Sequence, residues 1–392
     1  MRALLLSCAV ILYASVAAAE VPKNVHQRGE FQNCRLKFER EHVGHVAFMG
    51  GSITEMNGYR PLVTEFLKQR FPETKFTFTD AGISSTCSTT GAFRLSHDVL
   101  SKGPVDLFFL EFAVNDDQDA AHAARECHRG MEGILRQIFE HNPDADVVIT
   151  YFVNEGMLAK LQDGKQPLSI AAHEQVAEHY AVTTSHHAQE VAEQITSGKL
   201  TWKDYGGVHP APRGNQIAAK LIKDLLSECW KSALASDATS VKREMPELLD
   251  QKSYVHGKFL PADAVELQSG WKREVPDWKN IPGSSRARFT KEQLFVATQP
   301  ESKLQFEFTG TAVGAYVLAG PDAGQLEVRI DGGDPVTVNL YHRFSKGLHY
   351  PRTVMFKTDL TPGEHSVEVS VAATHNEQSN GTAARVLHFV VN

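Results

Sequence analysis

A serine follows two glycines at the end of an apolar segment, in the sequence Phe48-Met49-Gly50-Gly51-Ser52. A strand that ends in two glycines can turn sharply, and the turn exposes the next side chain at the carboxyl edge of a sheet. A serine hydroxyl placed there can attack a carbonyl carbon if a nearby base takes its proton. Ser52 is therefore a candidate nucleophile, although Gly-Gly-Ser is also a frequent turn that ends in a helix-capping serine.

Three later segments place further functional groups at the ends of predicted elements. Gly82 and Asn115 each follow an apolar, strand-like run, and His209 follows Gly206-Gly207 just before a helical segment from Gly214 to Cys229. The pKa of imidazole lies near neutrality, which suits His209 to act as the general base for Ser52. The chain thus presents serine, glycine, asparagine and histidine in that order.

This order resembles the four sequence blocks of the SGNH or GDSL hydrolase superfamily, over about residues 43 to 230. The chain has Gly51 where many members carry aspartate, and Ala113 where the third block carries glycine. The resemblance implies an esterase with Ser52 as nucleophile. It also implies an oxyanion hole made of the Ser52 and Gly82 N–H groups and the Asn115 side-chain amide, which are donors suited to a negative oxygen.

The acid that orients the catalytic histidine is not at the family's usual place. Members carry Asp-x-x-His, but Gly206 lies three residues before His209, and Asp204 lies five before it. Either Asp204 reaches His209 through the two glycines, or a backbone carbonyl or another carboxylate orients the ring, or the site is a serine and histidine dyad. We take Asp204 as the candidate, against the alternative of a solvated loop acid or helix cap.

Other polar residues allow weaker predictions. Arg60, Tyr341 and His349 are candidate substrate-binding residues, although a solvated helix face for Arg60 and a domain interface for the other two are the simpler interpretations. Arg94 and Asp98 have the i, i+4 spacing of a surface ion pair. The adjacent histidines at 186 and 187 lack the accompanying ligands of a recognised metal motif, so we predict no metal site and no cofactor.

The elements that must position these residues alternate between strand and helix from about 43 to 230. Such alternation predicts a parallel sheet covered by helices on both faces, a three-layer α/β/α domain of the flavodoxin-like, SGNH type. Function gathers at the carboxyl ends of the strands of such sheets. The predicted strands are 43–49, 76–78, 105–110 and 147–152, and the helical segments are 59–70, 120–140, 170–194 and 214–229.

The pattern changes beyond about residue 240, where apolar residues alternate with polar ones in several short runs. Period-two alternation between turns predicts an antiparallel, jelly-roll-like β-sandwich. The expected organisation is a signal peptide at 1–19, a hydrolase domain at 20–235, a wrapping segment at 236–282 and the sandwich at 283–392.

Composition and the N-terminus limit the cellular context. A formal charge of −7 with no dense block of Lys and Arg predicts no nucleic-acid partner, and no segment after the N-terminus is apolar enough to cross a bilayer. Residues 1–19 have the basic start, apolar core and small terminal residues of a cleaved signal peptide, which predicts a secreted or periplasmic protein. The remaining cysteines, Cys34, Cys87, Cys127 and Cys229, would allow two disulfides or remain buried thiols.

Together these features predict a secreted serine esterase that removes a small acyl group, most simply acetyl, from carbohydrate. A lipid esterase or lysophospholipase would use the same residues but would need an apolar acyl groove. A non-catalytic carbohydrate-binding protein on the same fold is the third hypothesis, to which Gly206 and Ala113 lend weight. Nothing in the sequence specifies an oligomeric state.

Overall fold

The computed structural model describes residues 21–392, and they form two domains. The predicted signal peptide lies outside the described residues. Across 21–392, no helix combines the length and apolarity needed to span a membrane.

The first domain is built on a six-stranded sheet of order β1-β6-β5-β4-β2-β3. Neighbours from β3 through β6 are parallel, and only β1 is antiparallel to its partner. The strands are β1 (Val25–His26), β2 (Val43–Gly50), β3 (Lys75–Gly82), β4 (Leu107–Glu111), β5 (Asp146–Thr150) and β6 (Thr183–Ser185).

Helices connect these strands and pack in two groups, with α4, α6 and α8 side by side in one and α3, α9 and α11 in the other. This is the predicted three-layer α/β/α architecture. The helices are α1 (Gln32–Glu39), α2 (Ser52–Glu55), α3 (Tyr59–Arg70), α4 (Ser88–Asp98), α5 (Ala113–Gln118), α6 (Ala124–His141), α7 (Glu155–Gln162), α8 (Leu168–His179), α9 (His187–Thr196), α10 (Trp202–Tyr205) and α11 (Pro212–Cys229). Short 3-10 helices cover Leu100–Lys102, Ala262–Ala264, Ala287–Phe289 and Arg343–Lys346.

The register of the central strands places the carboxyl ends of three strands side by side at one edge of the sheet. Gly50 at the end of β2 pairs with Gly82 on β3 and with Glu111 on β4. The chain leaves β2 towards β3 and then crosses back to β4, so the order reverses at β2, where ligands usually bind in open α/β sheets. Strand β2 is buried from its second residue to its last because helices cover both of its faces.

The second domain consists of two antiparallel sheets. One has the order β15-β12-β17-β10-β9 with β7 paired to β17, and the other has the order β14-β13-β16-β11-β8. The strands are β7 (Lys258–Phe259), β8 (Val265–Ser269), β9 (Lys272–Glu274), β10 (Leu294–Ala297), β11 (Lys303–Gly310), β12 (Val313–Ala319), β13 (Gln325–Ile330), β14 (Val336–Asn339), β15 (Tyr350–Lys357), β16 (Gly363–Val371) and β17 (Ala384–Val391).

Each domain has a hydrophobic core, and the larger core crosses the domain boundary. Phe289, Leu294, Tyr316, Leu318 and Leu387 of the second domain belong to the same buried cluster as the sheet of the first domain. A separate cluster fills the second domain between its sheets. The two domains therefore pack through buried apolar side chains.

Two predicted boundaries are corrected by the structure. The segment 236–282 was expected to be a wrapping connection, but β7, β8 and β9 lie within it, so the β-domain begins earlier than residue 283. The segment 170–194 was expected to be helical throughout, but β6 divides it into α8 and α9. This strand has only three residues, all with hydroxyl side chains, so its alternation is too short to be recognised.

The two possible disulfides are not present among the described residues, where Cys34, Cys87, Cys127 and Cys229 are free thiols. The first three are buried, and Cys229 is half-buried. The three buried cysteines behave as small apolar residues of the interior, which is the second of the two predicted outcomes.

Candidate active site

The candidate nucleophile stands where β2 ends and α2 begins. Gly51 precedes the helix and Ser52 is its first residue, so the Ser52 N–H lies in the first turn, where backbone donors have no intrahelical acceptor. The glycines are needed for space rather than for a positive φ, because Gly51 has a φ of −87°. A Cβ on Gly51 would overlap Asn115 Oδ1, and one on Gly50 would overlap Thr54 Oγ1.

The structure brings Ser52 and His209 together across 157 residues of sequence, with 2.8 Å between Ser52 Oγ and His209 Nε2. This is hydrogen-bonding distance between a hydroxyl and a ring nitrogen. His209 is exposed on the loop between α10 and α11. With Nε2 accepting the serine proton, the ring proton is on Nδ1, which faces away from the serine.

Asp204 does not orient His209 in this arrangement. Its carboxylate accepts a hydrogen bond from Thr201 Oγ1 at 2.7 Å, and its own N–H donates to the same hydroxyl at 3.0 Å. The pair closes the start of α10, which is the helix-cap alternative considered above. Within residues 21–392 we find no carboxylate hydrogen-bonded to His209 Nδ1, so the structure presents a serine and histidine pair.

The two other candidate oxyanion donors lie beside Ser52. Gly82 packs against the backbone of α2, where a Cβ would overlap the Glu55 nitrogen. Its N–H donates to Asp80 Oδ1 at 3.1 Å, a long bond that a substrate oxygen would have to replace or share. Asn115 is buried at the start of α5, and its Nδ2 donates to Asp119 Oδ2 at 2.7 Å, which leaves its second N–H available.

Two buried charged residues support these strand ends. The expected pair of Arg94 with Asp98 forms, with 2.8 Å between Nη1 and Oδ2, but the Arg94 side chain is fully buried rather than on the surface. It donates to the Ala81 carbonyl at 2.8 Å and the Gly50 carbonyl at 3.1 Å, and so joins the ends of β3 and β2. Only the expected surface location was wrong, because α4 lies over these strand ends and its residues from Ser88 to Leu95 are buried.

Glu111 is the second of these residues, and it lies beneath the turn that carries the nucleophile. Its Oε2 accepts from the Gly51 N–H at 3.3 Å and from Thr54 Oγ1 at 3.2 Å, whereas its Oε1 has no partner among the described residues. Burial raises the pKa of Glu111 to about 7, although these hydrogen bonds oppose the shift.

Asp116 anchors a buried network next to Asn115. It accepts from the Ser88 N–H at 2.8 Å, from Ser88 Oγ at 2.6 Å and from His173 Nε2 at 2.8 Å. Burial favours protonation of Asp116, but His122 and His173 outweigh it and hold the pKa of Asp116 well below its usual range. The same carboxylate raises the pKa of His173 to about 9 against the effect of burial.

Three groups in the described part of the chain have potential metal-ligand atoms close together. Asp116 takes part in two of them but already accepts hydrogen bonds through both oxygens, so a hydrogen-bonded network accounts for its surroundings. His187, the second of the adjacent histidines, belongs to none of these groups and is buried. The groups are Cys87, Asp116 and His122; Asp116, Cys127 and His173; and His26, Glu174 and His186.

The predicted substrate-binding residues lie in three different environments. Arg60 is half-buried near the site, where it pairs with Asp80 at 2.7 Å. Tyr341 is buried in the core of the β-domain, and His349 is buried with its Nε2 3.1 Å from the Pro282 carbonyl. Tyr341 and His349 are therefore interior residues that cannot contact a glycan, which corrects their assignment as substrate-binding candidates.

The sequence did not reveal that the second domain reaches the site. Arg286 and Arg288 contact the loop that begins at Gly82, and Tyr350 contacts Asp119. These residues come from distant segments with no motif around them. A pair of arginines two residues apart, near the start of the predicted sandwich, was the only available sign.

Comparison with known proteins agrees with this geometry. Residues 48–217 match the model of the GDSL-like lipase/acylhydrolase family, a range that contains Ser52, Gly82, Asn115 and His209. The matched region of the first domain is therefore similar to GDSL-like lipases and acylhydrolases. This confirms the predicted SGNH/GDSL resemblance and the predicted enzyme class, a carboxylic ester hydrolase. No curated protein sequence matches significantly.

The two-domain arrangement of this chain also occurs in solved structures. A two-domain esterase (CEX) active on acetylated mannans is similar with a TM-score of 0.75 at 20% sequence identity, over 94% of this chain and 97% of that one. Its complex crystallised with mannopentaose matches with the same score and identity, over 94% and 96%. The similarity extends over both domains and confirms the predicted fold class.

Proposed function

We propose that this protein is a secreted serine esterase that removes acetyl groups from carbohydrate. The observation that carries the proposal is the 2.8 Å contact between Ser52 Oγ and His209 Nε2 at the strand edge that also holds Gly82 and Asn115. The fold shared with an esterase active on acetylated mannans supports a glycan substrate. The signal-peptide pattern of residues 1–19 supports secretion or a periplasmic location.

In the proposed mechanism, Ser52 Oγ attacks the ester carbonyl carbon while His209 Nε2 takes the hydroxyl proton. The negative oxygen that forms is held by the Ser52 N–H, the Gly82 N–H and the free N–H of the Asn115 amide. His209 then gives the proton to the departing sugar oxygen, which leaves an acetyl group on Ser52. Water, deprotonated by the same imidazole, attacks this acyl-enzyme; the bond between Ser52 Oγ and the acetyl carbon breaks, and the imidazolium returns its proton to Ser52 Oγ as acetate leaves.

The charges around the strand ends favour a polar substrate over a lipid. Asp80 pairs with Arg60, and Arg288 lies 3.5 Å from Glu55, all close to Gly82. Hydroxyl groups of a sugar can exchange hydrogen bonds with such groups, whereas a long acyl chain gains nothing from them.

The test is acetate release from acetylated mannan, xylan and other acetylated glycans by wild-type protein and Ser52→Ala. We expect release from at least one glycan and none above background for Ser52→Ala. A series of p-nitrophenyl esters then separates the two esterase hypotheses, because a clear preference for long acyl chains would support the lipid esterase. Failure of folded wild-type protein to react with a fluorophosphonate probe would support the non-catalytic binding protein.

A further inference from the structure

The orientation of the Asn115 amide is fixed by one carboxylate. Asn115 Nδ2 donates to Asp119 Oδ2 at 2.7 Å, and Asn115 Oδ1 has no partner among the described residues. An ionised carboxylate can only accept hydrogen bonds, so it selects the NH₂ end of the amide. Without it, a rotation of the amide by 180° would exchange the donor for a carbonyl oxygen, which repels an oxyanion.

Asp119 is in turn held by the second domain. Tyr350 OH donates to Asp119 Oδ1 at 2.8 Å, and His342 Nε2 lies 2.9 Å from the Asp119 carbonyl oxygen. Burial raises the pKa of Asp119, while the hydrogen bonds from Tyr350, Gln118 and Asn115 favour its charged form. The carboxylate therefore depends on these donors for its charge as well as for its position.

His342 has the protonation state that this contact requires. Burial and the nearby Arg352 lower the pKa of His342 to about 4, so the ring is neutral at neutral pH. Its Nδ1 accepts from the Phe344 N–H at 3.3 Å, which places the single ring proton on Nε2, facing the Asp119 carbonyl. The ring also stacks on Tyr350, with 4.4 Å between centroids and 15° between planes.

The second domain holds the other oxyanion element as well. Arg286 donates to the Ser84 carbonyl at 2.7 Å and to Ser85 Oγ at 2.8 Å, and Arg288 donates to the Gly82 carbonyl at 2.9 Å. Both donor-bearing segments of the first domain thus contact the β-domain through polar side chains, one at the loop from Gly82 and the other at Asp119, which follows the end of α5. Among residues 21–392, the imidazole of His209 forms no hydrogen bond with the β-domain, and its ring bonds to Ser52 Oγ instead.

We propose that the β-domain positions the oxyanion hole, and that Tyr350, acting through Asp119, is a positioning residue for the Asn115 amide. This inference rests on the proposed esterase function. A positioning role differs from a purely structural role in the contact between the domains. Loss of the Tyr350 hydroxyl should weaken stabilisation of the transition state more than it weakens binding of the substrate. The pathway runs from Tyr350 OH to the Asp119 carboxylate, then to Asn115 Nδ2, and ends at the developing oxyanion.

A double-mutant cycle tests the pathway. We expect Tyr350→Phe to lower kcat about tenfold with KM within about twofold, since about 1.4 kcal/mol of transition-state stabilisation corresponds to a factor of ten. In the Asn115→Ala background the same exchange should cost nothing further, because the group through which it acts is gone. The matched control is Tyr316→Phe, a buried tyrosine of the same interface whose hydroxyl has no partner within 21–392.

The outcomes separate this inference from the proposed function. Wild-type kcat for Tyr350→Phe, or an equal loss with and without Asn115, would overturn the positioning role while leaving the esterase intact. The cycle is measured on p-nitrophenyl acetate, so the wrong choice of glycan does not affect it. A wild-type protein inert towards both this ester and a fluorophosphonate would end the proposed function and the inference with it.

Discussion

The two sides of the candidate active site are held very differently. The donor side, formed by Ser52, Gly82 and Asn115, rests on buried residues of the first domain and on side chains of the second. On the histidine side, His209 is exposed on a loop that follows two glycines with positive φ. Its one side-chain hydrogen bond in the described structure is to Ser52 Oγ.

This difference follows from the work that each side would perform. Donors stabilise a developing charge only if they already point at it, because reorienting them during the reaction would cancel the gain. A general base must instead receive a proton from Ser52 and deliver it to a leaving group at a different position. The buried hydrogen bonds of this site lie on the donor side, and the histidine side is left free to move. This distribution is consistent with both requirements, even though no carboxylate is hydrogen-bonded to His209 Nδ1 in the described structure.

The largest effect should come from removing the donor amide itself. Asn115→Ala is expected to lower kcat by about 10²- to 10³-fold with a small change in KM, which is the usual effect of removing one oxyanion donor from a serine hydrolase. Steady-state kinetics on p-nitrophenyl acetate measure it. Asn154→Ala is the control, since Asn154 caps α7 through Met157 N and should affect stability more than kcat. A decrease below threefold for Asn115→Ala would remove the amide from the oxyanion hole.

A second effect concerns the buried acid beneath the nucleophile turn. Burial raises the pKa of Glu111 from 4.5 to about 7, so the folded protein binds this proton more tightly than the unfolded chain does. The stability that it contributes is therefore fully present below about pH 4.5 and is lost as the pH rises through about 7. Glutamine mimics the protonated form of the side chain, so the stability of Glu111→Gln should not fall with pH in this way.

The measurement is the thermal midpoint of wild-type protein and Glu111→Gln at pH 5 and pH 8. The shift in the pKa of Glu111 corresponds to about 3 kcal/mol of stability. On going from pH 5 to pH 8, the thermal midpoint of the wild type should therefore fall by on the order of 5 °C more than that of the variant. Glu307→Gln, at an exposed position of β11, controls for the exchange itself. Parallel curves for wild type and Glu111→Gln would show that Glu111 is ionised in the folded protein throughout this range.

The third effect tests how tightly the donor side is packed. A methyl group on Gly51 would overlap Asn115 Oδ1, so Gly51→Ala should displace the amide and lower kcat about tenfold or more, equivalent to about 1.4 kcal/mol. Gly29→Ala is the control, since its Cβ would meet no atom within 4 Å. If Gly51→Ala kept wild-type kcat, Asn115 would have room to move and the donor side would be less constrained than its contacts indicate.

The same contrast explains what the sequence could predict. Ser52, Gly82 and Asn115 follow strands whose ends must meet at one edge of a parallel sheet, so local patterns and topology were sufficient to group them. Arg94 looked like half of a surface pair because spacing along a helix does not reveal which face is covered. Tyr350 and Asp119 are separated by 231 residues, and only the packing of the two domains joins them.

The smallest effect should come from the histidine side. Asp204 closes the start of α10 with Thr201, and an asparagine there can accept the same hydrogen bond, so Asp204→Asn should leave kcat within about twofold of wild type. Kinetics on p-nitrophenyl acetate from pH 5 to pH 9 test this, with Ser52→Ala as the inactive reference. A triad acid behaves otherwise, since its replacement by asparagine leaves the histidine in the wrong tautomer and costs about 10⁴ in kcat. A loss of that order would mean that the loop of Gly206 and Gly207 moves during the reaction and carries Asp204 to His209 Nδ1, and the histidine side would then be assembled only when substrate binds.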